Sequence, residues 1–189
     1  MADVEQYGNC CRFTKITMHD TSQALTPANY FLEPGFVVMP SGPTVISAVL
    51  GSGVSICLFD RKRKVGGMNS FQLPLIREKG KTTTRYGNVA VWTLIRMMLE
   101  DGSKIKNLEA QIVGGAHNPE LSSQNMGQEN IRIARKILFR EKIVVTSEDT
   151  GGSKGRKVVF STHTNEIAIL KVEKLRKSDW YPYEDDRNS

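Results

Sequence analysis

The stretch TVISAVLGSGVSICLFDRKRKVGGMNSFQLP (Thr44–Pro74) decides how this chain folds. Two β-branched apolar runs, Thr44–Leu50 and Val54–Phe59, flank a Gly51-Ser52-Gly53 turn. Short runs rich in Val and Ile and bounded by glycine read as strands. Both look largely buried, and glycine between them permits positive φ or a close approach by another backbone. Asp60 and the basic run Arg61–Lys64 then turn the chain, and VGGMNSFQL returns as a further strand. The stretch has the outline of an active site, yet it carries no histidine and no obvious nucleophile.

Working outward, EPGFVVMPSGP predicts a short strand near Phe36–Met39. Downstream, GNVAVWTLIRMMLEDG predicts a helix with one apolar stripe of Val89, Trp92, Ile95 and Leu99. Asn88 is its expected N-cap and Gly102 its stop. Leu108–Gly115 reads as a strand and PELSSQNMGQEN as a loop. A second helix is expected near Gln128–Glu141, with Ile131, Ala134 and Leu138 buried. Three more strands follow, broken by Gly151-Gly152 and by a His-Thr-Asn turn. About eight strands, mostly in consecutive runs, with two helices predict an α+β layered domain rather than a doubly wound sheet. The expected domain spans 31–175, between an N-terminal extension over 1–30 and a polar tail over 176–189.

The 189 residues suit a single core, and no run approaches the ~18 apolar residues of a membrane span. The acidic start MADVEQYGNC lacks the apolar segment of a secretory signal. Cys10, Cys11 and Cys57 form neither a disulfide framework nor a CxxC. No metal and no cofactor are expected, and the reading is a reduced, cytoplasmic chain. The net charge is +6, and its densest basic run is expected to be a solvated hairpin tip. An acidic protein surface is the next reading for that run. Nucleic acid ranks last, because no helix is expected to present a basic face and no aromatics interleave the charges.

The chemistry-bearing residues are sparse. The Gly-Ser-Gly turn lacks the Lys-Ser/Thr of a phosphate-binding loop. His19, His117 and His163 all fall in loops or in the extension. Cys57 reads as an inert core residue. Ser52 and Ser70 are poor nucleophiles without a neighbouring base.

Several stretches in series resemble the CheD-type chemoreceptor glutamine deamidases: VLGSGVSICLFDRKRKVGGMNSFQLP, RYGNVAVWTLIRMML, LEAQIVGGA, NMGQENI and DTGGSKGRKVVF. The resemblance covers roughly 30–172 and implies an α/β sandwich with two main helices on one side. It also implies a covalent mechanism that turns receptor Gln into Glu and releases ammonia. A cysteine attacks the side-chain amide, a histidine moves the protons, and an upstream hydroxyl orients the histidine. The family's LGSC reads LGSG here, so Gly53 stands at the nucleophile position. Its GGMNHF-like pattern reads GGMNSF, so Ser70 stands at the histidine position, and the hydroxyl falls at Ser47. By the same resemblance Ser52 and Asn69 would line a substrate groove.

These departures point to a CheD-like chemotaxis protein without the chemistry, one that binds chemoreceptor helices or a CheC-type phosphatase. The alternatives are a protein-glutamine deamidase, either active or made inactive by deliberate removal of its Cys and His, that converts receptor Gln to Glu with ammonia release, and a basic scaffold for another acidic partner. Membrane insertion and nucleic acid are not expected.

Overall fold

The computed structural model describes residues 26–76, 83–120, 122–173 and 175. The elements run in chain order as β1 (Ala28–Phe31), β2 (Val37–Val38), β3 (Thr44–Leu50), β4 (Val54–Asp60) and β5 (Val65–Phe71). They continue as α1 (Gly87–Glu100), a 3-10 turn (Ile105–Asn107), β6 (Leu108–Gly114), α2 (Met126–Arg140), β7 (Val144–Thr150), β8 (Gly155–Ser161) and β9 (Ile167–Val172). None of the described helices is long and apolar enough to cross a membrane.

The strands form two sheets, ordered β1-β3-β8-β9 and β2-β5-β4-β6-β7. The Gly51–Gly53 turn therefore does not close a hairpin. It hands the chain from the first sheet to the second. β3 pairs parallel with β1 and antiparallel with β8, whereas β4 lies between β5 and β6. Strand alternation explains the layering. Ile46, Ala48, Leu50, Val158 and Phe160 of the first sheet meet Cys57, Met68 and Val113 of the second in one buried cluster. The other face of the second sheet, with Val54, Ile56, Leu58 and Phe71, packs under Val91, Leu94 and Ile95 of α1 and Ile131, Ala134 and Leu138 of α2. All seven residues of β4 are buried because both its faces are covered. Each large apolar side chain so enclosed contributes about 1.5–3 kcal/mol. The result is the expected α+β arrangement, with the two helices on one side of the strands.

Several expectations change in detail. β1 starts at Ala28, ahead of the expected boundary at 31, because Ala28–Phe31 adds a parallel edge to β3. On α1 the buried row is Val91, Leu94, Ile95 and Met98, while Trp92 and Leu99 are exposed. Two rows of that helix are equally apolar, and contact with β5 and α2 selects one. Tyr86, not Asn88, is the N-cap. Asn88 instead accepts the Ile76 N–H at 3.1 Å and donates to the Ile76 carbonyl at 3.1 Å, tying down the segment before the helix. Gly102, at φ +97°, closes α1 as expected. Nor does every helix lack a basic face: Arg132, Arg135, Lys136 and Arg140 are all exposed on α2.

The basic run Arg61–Lys64 is the exposed tip of the β4–β5 hairpin. Asp60 organises it, its Oδ1 accepting the N–H groups of Lys62 at 2.9 Å and Arg63 at 3.1 Å. Burial alone would raise the Asp60 carboxyl. The Arg63 and Lys62 bonds outweigh it and hold the group below the usual carboxylate range.

Candidate active-site end of the sandwich

The ends of β3, β5 and β6, the start of β4 and the loop after β7 converge at one end of the sandwich. The Gly53 carbonyl accepts the Gly115 N–H at 2.7 Å, and the Gly51 carbonyl accepts that of Ala116 at 2.9 Å. Gly151 donates to Gly114 at 3.0 Å, and His117 donates its backbone N–H to Gly152 at 2.8 Å. From α2, the buried Asn130 donates its Nδ2 to the carbonyls of Ser52 at 3.0 Å and Gln72 at 2.9 Å. The exposed turn is thus clamped from two sides by backbone and amide bonds.

Glycine at 53 answers to a close approach rather than to a special φ. A Cβ added there would lie 2.9 Å from the Phe71 carbonyl oxygen. Gly114 is tighter still, with φ +113° and a would-be Cβ 2.3 Å from the Gly53 oxygen. A side chain at either position displaces backbone, not a flexible neighbour.

Ser70 lies opposite Ser55 in the β4–β5 register. Both share the face of Cys57 and Met68, which looks into the space between the sheets. Ser70 is 2% exposed, and the Ser55 hydroxyl has no partner among the described residues. The hairpin arithmetic across the Arg61–Lys64 tip would have revealed this Ser55–Ser70 pair from sequence, since the ladder runs in step from Asp60↔Val65.

The remaining candidates scatter. Ser52 is exposed at the turn. Asn69 is fully buried opposite Ile56, whose N–H its Oδ1 accepts at 2.9 Å, so it belongs to the core rather than to an open groove. Ser47 sits opposite Val159 on β3, and its carbonyl accepts the Leu32 N–H at 2.8 Å. Ile46 and Ala48 point into the inter-sheet core, so alternation turns the Ser47 side chain to the outer face of the first sheet, away from Ser70. Cys57 lies within the inter-sheet core, and burial pushes its thiol far up. It stays a thiol, and a thiol is not the nucleophilic form. His163 contacts the Lys64 carbonyl at the hairpin tip, about 23 Å along β4 from Gly53. Of the two described histidines only His117 is carried to this end, by the loop after β6, and His19, Cys10 and Cys11 lie outside the described residues. Among the described residues no group of His, Cys, Asp and Glu is arranged to hold a metal ion.

A family model described as CheD chemotactic sensory transduction matches residues 73–171. The chain belongs to the CheD family. Its similarity to individual CheD proteins extends further than that match. It is 36% identical over 135 residues to the probable chemoreceptor glutamine deamidase CheD of Sulfurimonas denitrificans, covering 70% of this chain and 86% of that protein. It is 37% identical over 142 residues to the corresponding probable deamidase of Trichlorobacter lovleyi, covering 74% and 88%. It is 34% identical over 137 residues to the chemoreceptor glutamine deamidase CheD of Thermotoga maritima, covering 72% and 87%. A CheD-like role in chemotaxis follows from this membership, and the Gly53 turn is the feature of the CheD fold that calls for explanation.

Proposed function

We propose that this CheD protein has kept the fold, lost the deamidation chemistry, and acts in chemotaxis by binding. Its partners in this reading are the helical cytoplasmic part of a chemoreceptor or a CheC-type phosphatase. The observation that carries the proposal is the crowding at Gly53, where a would-be Cβ lies 2.9 Å from the Phe71 oxygen, at the position that the sequence resemblance assigns to the nucleophile. A cysteine cannot simply be restored to this backbone, which favours loss over a recent swap of one side chain. Ser70 at the histidine position does not titrate near neutrality, so proton transfer lacks its group as well. In covalent hydrolases, loss of the nucleophile or base costs on the order of 10⁶ in turnover. The one thiol among the described residues, Cys57, is sealed in the core.

The test is incubation of the protein with a chemoreceptor cytoplasmic domain, following ammonia release and Gln-to-Glu conversion by mass spectrometry. The expected result is no conversion, together with saturable binding of the receptor domain or of a CheC-type phosphatase by calorimetry. Turnover above the buffer rate would overturn the loss of chemistry. Absence of binding to both proteins would overturn the binding role.

A further inference from the structure

The hairpin tip at Arg61–Lys64 stands at the end of the second sheet opposite the Gly53 turn, about 23 Å away along β4. Other pieces of the chain meet it there. Phe59 pairs with Glu109 of β6, and Glu109 with Val144 of β7, so the start of β7 lies two strand spacings, about 10 Å, from β4. Arg61 donates its N–H to the Asn107 carbonyl at 3.1 Å and its guanidinium to the Lys106 carbonyl at 3.3 Å. Arg63 reaches the Ser103 hydroxyl at 3.3 Å and the Asp101 carboxylate at 2.9 Å. The tip is thus fastened to the loop that carries the exposed Lys104 and Lys106. The end of α2 adds an apolar corner. Lys142, at φ +58°, reverses the chain, its N–H donating to the Phe139 carbonyl at 3.1 Å while Ile143 donates to Leu138 at 2.9 Å. This leaves Phe139 86% and Val144 65% exposed around an open hollow of about 470 Å³. They are the most exposed large apolar residues among those described.

Lys62, Lys104, Lys106 and Lys142 make no ion pair among the described residues. The carboxylates of this end are engaged. Asp60 is buried beneath the tip N–H groups, Asp101 faces Arg63, and Glu141 pairs with Arg140 at 3.1 Å. Glu109 and Glu166 accept bonds from Asn165 at 2.7 Å and Thr164 at 2.8 Å. The surface is therefore cationic with an aromatic corner. Clusters of about 4–8 Lys and Arg hold proteins to anionic lipid headgroups, and an aromatic ring beside them seats at the boundary with the acyl chains. An acidic peptide would be gripped by cations around a cleft, whereas these stand on separate turns spread across the end. We propose that this end of the sandwich is a peripheral docking surface for an anionic lipid bilayer. The lysines lie over the headgroups and Phe139 sits at the interface. No described helix is long and apolar enough to cross the bilayer, so the contact is with its surface. Docked this way, the protein turns the Gly53 end away from the lipid. The inference does not rest on the loss of chemistry at Gly53.

The test sediments the full-length chain with vesicles of phosphatidylcholine, alone or with about one-third phosphatidylglycerol. Binding is expected only to the anionic vesicles and should fall about tenfold in about 0.5 M salt. Lys62→Glu and Lys106→Glu should each weaken it about tenfold. Lys154→Glu, the same change of charge near the Gly53 turn, should leave it unchanged. Phe139→Ser should weaken it about fivefold with the charge unaltered. Melting temperature and circular dichroism check that each variant is folded. Absence of binding to the anionic vesicles overturns the proposal. So does equal weakening by Lys62→Glu and Lys154→Glu, which would mean adsorption by net charge alone. Binding of polyglutamate that displaces the vesicles, with Phe139→Ser affecting neither, would assign the end to an acidic protein segment and overturn it equally.

Discussion

Asn130 on α2 donates its side-chain amide to the carbonyl of Ser52 at 3.0 Å, and so fixes the turn that leads from one sheet into the other. The same amide holds the Gln72 carbonyl at 2.9 Å, at the end of β5. One buried side chain thus sets the spacing between Gly53 and the strand that carries Ser70. Asn130→Ala leaves two carbonyls without donors and is expected to cost about 2–3 kcal/mol. Asn130→Asp should cost more, since a carboxylate would face those carbonyls with no donor of its own. Urea unfolding of both variants checks the order.

The two glycines of the turn region differ in tolerance. Gly53→Ala is expected to destabilise by about 1–3 kcal/mol through overpacking against Phe71. Gly114→Ala should be worse, because it adds a left-handed φ to a closer contact. For the same reason, Gly53→Cys with Ser70→His is expected to lose stability without restoring deamidation. Thermal melts rank the three variants, and ammonia release tests the last.

Cys57 should resist thiol reagents in the folded protein, in a background with Cys10→Ser and Cys11→Ser. Its folded pKa is raised by burial, so the folded state keeps a proton that the unfolded chain releases. Its contribution to stability is complete below the unfolded thiol pKa of about 8.5 and falls as pH rises above it. Labelling rates should therefore follow unfolding, as denaturant titrations would show. Cys57→Ser buries a hydroxyl without a ready partner and is expected to cost about 1–3 kcal/mol.

Acid should weaken the fold through Asp149 and Asp60. For Asp149 burial acts upward, but hydrogen bonds from Arg156 and Lys171 win and lower its pKa. Asp60 is lowered by its turn N–H bonds. Both contributions are present above the unfolded Asp value of about 3.9 and are lost as pH falls through the lower folded values. Unfolding free energy measured from pH 6 to pH 2 should show this decline. Removing either carboxylate, by Asp60→Asn or Asp149→Asn, should flatten it.

Arg156 is buried and bonds Asp149 Oδ1 at 2.8 Å, the Gly151 carbonyl at 2.8 Å and the Lys154 carbonyl at 2.9 Å. Arg156→Ala is expected to cost about 3 kcal/mol or more. Arg156→Lys should recover only part, since an ammonium lacks the planar fork that reaches three acceptors. Chemical unfolding distinguishes the two.

Local pattern determined much of this protein. The β-branched runs around Gly51–Gly53 are the strands β3 and β4, and the second helix buries Ile131, Ala134 and Leu138 as its periodicity predicts. Membership of the CheD family was legible too, because several of its motifs stand in series along the chain. Pattern could not decide which of two apolar rows on α1 would be buried, since both satisfy the helical period. Tertiary contact with β5 and α2 chose the row that leaves Trp92 outside. Nor does sequence reveal that a tight turn joins different sheets instead of closing a hairpin. That depends on long-range pairing of β3 with β8 and of β4 with β6. The β3–β8 pairing turned Ser47 away from Ser70, and the layers packed on both faces of the second sheet sank Asn69 into the core. Side-chain identity is written locally, but the face a strand residue presents and the space beside it belong to the partners the whole chain assembles.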